Sequence, residues 1–174
     1  MKLQKLLAAF SLFASVHALG AQSVTYDFDK SVDFTKYKTY AWVDGGNLPD
    51  EFNHKRIVGS VDTQLGMKSL TQVQQTANPD ILVSYRTGFD QALEVNASSS
   101  DLGPYRWGNR VGSARAQQVT VGTLFVILRD ASTQAVVWRG AATADINAKA
   151  SPERRDRNIA KATEKMFKHY PPKA

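Results

Sequence analysis

The run VTVGTLFVILRD, residues 119–130, constrains this chain more than any other segment. Alternation puts Leu124, Val126 and Leu128 on one face and Phe125 and Ile127 on the other. Both faces are apolar, and such a strand belongs inside a sheet rather than at its edge. Ala131-Ser132-Thr133-Gln134 and then AVVWRGAATADI, residues 135–146, supply a short polar loop and a second strand. The two strands form a hairpin.

The other elements are arranged around that hairpin. In SVTYDF, residues 23–28, Val24, Tyr26 and Phe28 share one face while Ser23, Thr25 and Asp27 share the other, as in a half-buried strand. FTKYKTYAWV gives a second strand with Tyr40, Ala41, Trp42 and Val43 at its heart, and GGNLP ends it. Ile57, Val58, Val61 and Leu65 form one helical stripe within 50–68, weakened by Gly59 and Gly66. Asn78-Pro79-Asp80 is a turn leading into the strand ILVSYRTGF. Periodicity then lapses over 90–118, which predicts a long irregular loop, a feature that in compact domains is uncommon and usually either functional or disordered. The chain closes with a helix capped by Ser151, started by Pro152 and stopped by Pro171 and Pro172. Its apolar stripe is Ile159, Ala162, Met166, Phe167 and Tyr170. This order predicts an α+β fold, with one mainly antiparallel sheet of about five strands and two helices packed on one face.

The first residues read differently. Lys2 and Lys5 precede an apolar run from Leu6 to Val16, and Ala18, Gly20 and Ala21 follow. A basic start, a short apolar stretch and a small-residue end are the pattern of a secretory signal peptide. The run is far short of the roughly 20 residues a spanning helix needs. Cleavage after Ala18 or after Ala21 fits; the second gives a signal peptide over 1–21 and a single domain over 22–174. The net charge of +6 then loses two lysines and becomes +4. A modest basic excess in an exported protein argues against nucleic acid as a partner. The chain contains no cysteine, which excludes disulfides, thiol catalysis, Cys-ligated metals and a cysteine-borne lipid anchor.

Four segments occur together in a telling order: DFTKYKTYAW at 33–42, PDILVSY at 79–85, GTLFVILRDASTQAVVWRGAA at 122–142 and RNIAKATEKMFKHYPP at 157–172. In order and spacing they resemble the bacterial domain-of-unknown-function family 4136 across essentially all of the chain after the N-terminal segment. The resemblance implies an exported envelope protein. Many members are lipoproteins, and this sequence departs from them by lacking the cysteine, so a soluble periplasmic form is the expectation. No reaction is established for the family, and the resemblance carries no catalytic residues or cofactor.

Asp27, Asp29 and Asp33 are spaced like the first ligands of a calcium loop, but Ser31, Val32 and Lys38 stand where that loop wants a ligand, a glycine and a glutamate. A polar strand face followed by a turn accounts for them better. His54 and His169 fall on separate helices without a carboxylate at ligand spacing. No G-x-S-x-G occurs, the glycines of 103–112 do not open a helix, and Asp50 and Glu51 read as helix-start charges. No catalytic, cofactor or metal residue is assigned. Arg154, Arg155 and Arg157 read as a solvated helix face, and Trp42 and Trp138 as core anchors.

What remains is the stretch between Leu102 and Gln118. It carries Tyr105, Arg106, Trp107, Arg110 and Arg115 and no acidic residue. Tyr, Trp and Arg dominate binding hot spots because they bury large rigid area or make forked hydrogen bonds. The expectation is a non-enzymatic accessory or binding module of the cell envelope. Its contact loop would meet another envelope protein or an anionic envelope polymer; the other reading of the stretch is a flexible loop whose aromatics fold back over the sheet edge. A hydrolase with an unrecognised site and a periplasmic small-ligand carrier are the alternatives.

Overall fold

The computed structural model describes residues 23–43, 51–98 and 113–172, with backbone alone for 92–98 and 113–118. The segment read as a signal peptide lies outside these residues. The described chain runs β1 (Ser23–Phe28), β2 (Thr39–Trp42), α1 (Glu51–Met67), β3 (Thr71–Gln72), β4 (Ile81–Ser98), β5 (Ser113–Asp130), β6 (Val136–Asp145) and α2 (Pro152–Phe167). The six strands form one sheet in the order β1-β6-β5-β4-β2-β3.

The fold is α+β with two helices, as expected, but the sheet is mixed and has six strands. β2 pairs in parallel with both β3 and β4, from Tyr40↔Ile81 to Trp42↔Val83 in the latter case. The reason is the helix: a strand that leaves through α1 and returns beside its starting point must run in the same direction. β3 is a two-residue strand, too short to leave a periodicity in sequence.

β5 sits between β6 and β4, the interior place its two apolar faces call for. Its Leu124, Val126 and Leu128 are buried beneath the helices, together with Val83 and Tyr85 of β4 and Trp138 and Ala142 of β6. Phe125, on the opposite face, is 42% exposed. α1 buries Ile57, Val61 and Leu65, one residue per turn. It ends where Ser69 takes a left-handed conformation and the Leu70 amide returns to the Leu65 carbonyl at 3.1 Å. α2 is capped by the Ser151 hydroxyl, which accepts from the Arg154 amide, and it buries Ala162, Thr163, Met166 and Phe167. The helices lie side by side, joined by the Ser60–Thr163 hydroxyl pair at 2.6 Å and by Arg56 on Asp156.

Below α2 the core is aromatic. Trp138 stacks on Phe167 with ring centres 4.8 Å apart, and Tyr170 meets Phe34, Trp138 and Phe167 edge-on. Gly140 is required here: Met166 lies directly over it, and an added Cβ would also fall 2.6 Å from the Trp138 ring. Trp138 anchors the core as expected, whereas Trp42 is only half buried.

The expectation of an irregular stretch over 90–118 needs correction. β4 continues to Ser98 and β5 already begins at Ser113, paired from Asp90↔Val121 to Ser98↔Ser113. Alternation persists in sequence, with Leu93 and Val95 on one side against Asp90 and Glu94 on the other, but Gln91 and Ala92 blunt it. Strand pairing away from a core layer does not demand an apolar face, and the usual signal of a half-buried strand fades.

Candidate functional site

Two features of the described residues could serve a function: a projecting hairpin arm and a cleft beneath the helices. The arm follows from the unequal lengths of the strands. β6 stops pairing with β5 at Val121↔Asp145, apart from one further bond from the Ile146 amide to the Thr120 carbonyl. β2 pairs with β4 only as far as Val83. From Gln91↔Thr120 outward, β4 and β5 pair only with each other among the described residues. Eight residue pairs at about 3.4 Å each carry the arm roughly 27 Å beyond the sheet.

Arg115 stands on this arm opposite Asn96. Tyr105, Arg106, Trp107 and Arg110 fall in 99–112, which connects the arm's two strands and lies outside the described residues. Four of the five residues read from sequence as a contact loop thus belong to the connection between the arm's strands, and the fifth to its strand.

The cleft opens between the N-terminal halves of the two helices and the inner face of the sheet, with a volume of about 300 Å³. Its floor is cut by small residues: Gly122 on β5 and Ala142 and Ala144 on β6. Ile57, Leu124, Ile159 and Ala162 form its walls. Phe89 stands at its edge and Ile146 lays its side chain over Gly122; the two are 63% and 44% exposed. Arg155 and Asn158 border it from the first turns of α2. The sequence reading placed Arg155 on a solvated face with Arg154 and Arg157. Arg155 is instead half buried, with Nη2 donating to the Ala148 carbonyl at 2.8 Å. Its spacing of four and seven from Ile159 and Ala162, on the apolar stripe, was the available signal.

The remaining polar clusters are structural. Asp130 accepts five hydrogen bonds, and Asp80 accepts from the amides of Lys38 and Thr39 and the Thr39 hydroxyl. Asp62 accepts from the Tyr40 hydroxyl and the Trp42 indole, both at 2.8 Å. Burial, and then the Asp62 hydrogen bond, push the Tyr40 phenol well above its ordinary range.

The calcium-like trio is likewise committed elsewhere. Asp29 caps the turn through Ser31, Asp33 caps the next through Thr35, and Asp27 pairs with Arg139 at 3.0 Å. The first two carboxyls are held low, foremost by the Ser31 and Thr35 hydroxyls respectively. His54 shares a 2.8 Å hydrogen bond with Tyr85, and His169 stacks on Tyr26. Among the described residues, no three His, Cys, Asp or Glu side chains gather as a metal site would require.

A family model, Domain of unknown function (DUF4136), matches residues 24–172. The chain belongs to this family. The DUF4136 match spans every element of the sheet and both helices. No curated protein matches the sequence. Among solved structures, a PDZ domain protein from Parabacteroides distasonis is similar at 19% identity and a TM-score of 0.55. The likeness covers 88% of this chain and 37% of that one, so the chain spans little more than a third of that protein's length. A PelC dodecamer from Paraburkholderia phytofirmans is similar at 15% identity and a TM-score of 0.47, covering 84% of this chain and 95% of that one. A putative neuraminyllactose-binding hemagglutinin homolog from Helicobacter pylori gives 11%, 0.41, 77% and 83% for the same measures. At these identities the first likeness speaks to fold alone.

Proposed function

We propose that this DUF4136 protein is exported to the periplasm and serves there as a non-enzymatic accessory or binding module of the cell envelope. The β4–β5 arm carries its contact segment. The arm is the observation that carries this reading: eight residue pairs of β4 and β5, from Gln91↔Thr120 to Ser98↔Ser113, bond only to each other among the described residues. Tyr105, Arg106, Trp107 and Arg110 lie in the sequence between the arm's two strands, with Arg115 on β5. The stretch from Leu102 to Gln118 has no acidic residue, which suits an acidic patch on an envelope protein or an anionic envelope polymer. The basic, apolar and small-residue succession of 1–21 supports export, and the missing cysteine supports a form without a lipid anchor.

Cell fractionation and photocrosslinking test the two halves separately. The protein is expected in the periplasmic fraction, and removal of residues 1–21 is expected to retain it in the cytoplasm. A photocrosslinking residue at Asn109 is expected to give a discrete adduct that the Tyr105→Ala/Trp107→Ala double variant abolishes. The same adduct from the double variant would retire the contact segment, and a cytoplasmic wild type would retire the envelope role.

A further inference from the structure

The cleft over Gly122, Ala142 and Ala144 has no part in the arm's role, and its lining is chemically selective. Its walls are mainly aliphatic, from Ile57 of α1, Leu124 of β5 and Ile159 of α2, with Asn53 and Thr87 among them. Phe89 and Ile146 leave large apolar surface in water at its edge, a cost that an apolar occupant would remove. Two charged residues border it, Asp145 and Arg155. Asp145 pairs with Val121, one step from the Gly122–Ala144 pair that floors the cleft, so its side chain alternates to the opposite face of the sheet. Arg155 stays with the cleft. One of its nitrogens donates to the Ala148 carbonyl, and no carboxylate pairs with it among the described residues. Its other N–H groups remain available as donors. Asn158, on the same helix, adds an amide with no hydrogen-bond partner among the described residues.

An aliphatic trough with one unpaired guanidinium at its border complements an alkyl chain that ends in an anion. We infer that the cleft binds an unbranched alkyl carboxylate, its tail between sheet and helices and its carboxylate on Arg155. The pairing exploits the forked geometry that guanidinium and carboxylate share. A volume of about 300 Å³ holds on the order of ten heavy atoms at roughly 30 Å³ each, which sets a medium chain length. The carrier role this implies is separate from the arm and survives if the arm's contacts are absent.

Titration of the purified chain lacking residues 1–21 with hexanoate, octanoate and decanoate, and with decanol as the uncharged analogue, tests the inference. Calorimetry gives the affinity, and methyl NMR of the isoleucines gives the place. Saturable shifts are expected at Ile57, Ile146 and Ile159. Affinity is expected to tighten about three- to four-fold per added methylene up to decanoate. Decanol is expected to bind about ten-fold more weakly than decanoate, and Arg155→Gln is expected to erase that difference without weakening decanol. Ala144→Phe is expected to abolish binding. If that variant loses its cooperative melt, Ala148→Phe at the exposed rim replaces it. Equal binding of decanol and decanoate to the wild type, affinity indifferent to chain length, or unchanged binding by a folded cleft-filled variant would each overturn the assignment.

Discussion

Asp130 concentrates more polar contacts than any other described side chain. Its Oδ1 accepts from the Ser132 amide, the Ser132 hydroxyl and the Thr133 amide, and its Oδ2 accepts from Lys36 Nζ at 3.0 Å and the Tyr37 hydroxyl at 2.9 Å. The Ser132 hydroxyl, then the Thr133 amide and Lys36, hold its carboxyl far below the ordinary carboxylate range. One buried carboxylate therefore closes the β5–β6 turn and pins the segment before β2 to it. A depressed carboxyl contributes stability at pH values above its unfolded pKa of about 3.9, and that contribution is lost as acid protonates it in the fold. Asp130→Asn is expected to lower stability by about 2–3 kcal/mol at pH 7 in chemical denaturation. The gap to the wild type is expected to narrow as the pH falls below about 4. A gap independent of pH would show that charge has no part in the effect. Only the turn was legible in the sequence at this residue. Lys36 and Tyr37 stand some ninety positions away, and nothing local in the chain announces that pairing.

At the scale of elements, α1 carries two glycines whose added Cβ would meet nothing within 4 Å. Gly59 and Gly66 thus weaken the helix without serving a close approach, in contrast to Gly140 beneath Met166. Gly59→Ala with Gly66→Ala is expected to stabilise the protein by about 1–2 kcal/mol, read as a raised melting temperature. The arm makes the opposite case. Its outer half adds pairing but rests on no other described strand, so replacing residues 92–119 with a two-residue Asn-Gly turn is expected to leave a cooperatively folded sheet. Loss of the cooperative melt on that replacement would show that the arm belongs to the core. Elements with one apolar face, β1 and α2 among them, were readable because burial imposes a period on the residues that face it. The arm is held by backbone pairing, which writes no period of its own into the sequence.

At the scale of the molecule, the first described strand and the segment after α2 meet on the sheet. β1 pairs with β6, Tyr26 of β1 stacks on His169 beyond α2, and Tyr170 joins Phe34, Trp138 and Phe167. Tyr170 is 2% exposed, and burial pushes its phenol far above the ordinary range. Tyr170→Ala is expected to cost about 3–5 kcal/mol, because it opens a cavity where the segment after α2 meets the sheet. Equilibrium unfolding of that variant measures the loss, and a change under 1 kcal/mol would show that the contact is peripheral.

The sequence by itself determined the α+β class, the order of the main elements, the central place of 119–130 and the buried stripe of α2. These follow from local periodicity, which burial on one face writes directly into the chain. Tertiary structure alone decided that β2 runs parallel to β4, that 91–98 and 113–120 build an arm, and that Arg155 borders a cleft. Each of these depends on which distant segments lie side by side. Strand direction is set by the path through α1, the arm by β6 and β2 ending early, and the cleft by small residues on β5 and β6 meeting two helices. Periodicity reports that a residue is buried, but not what covers it.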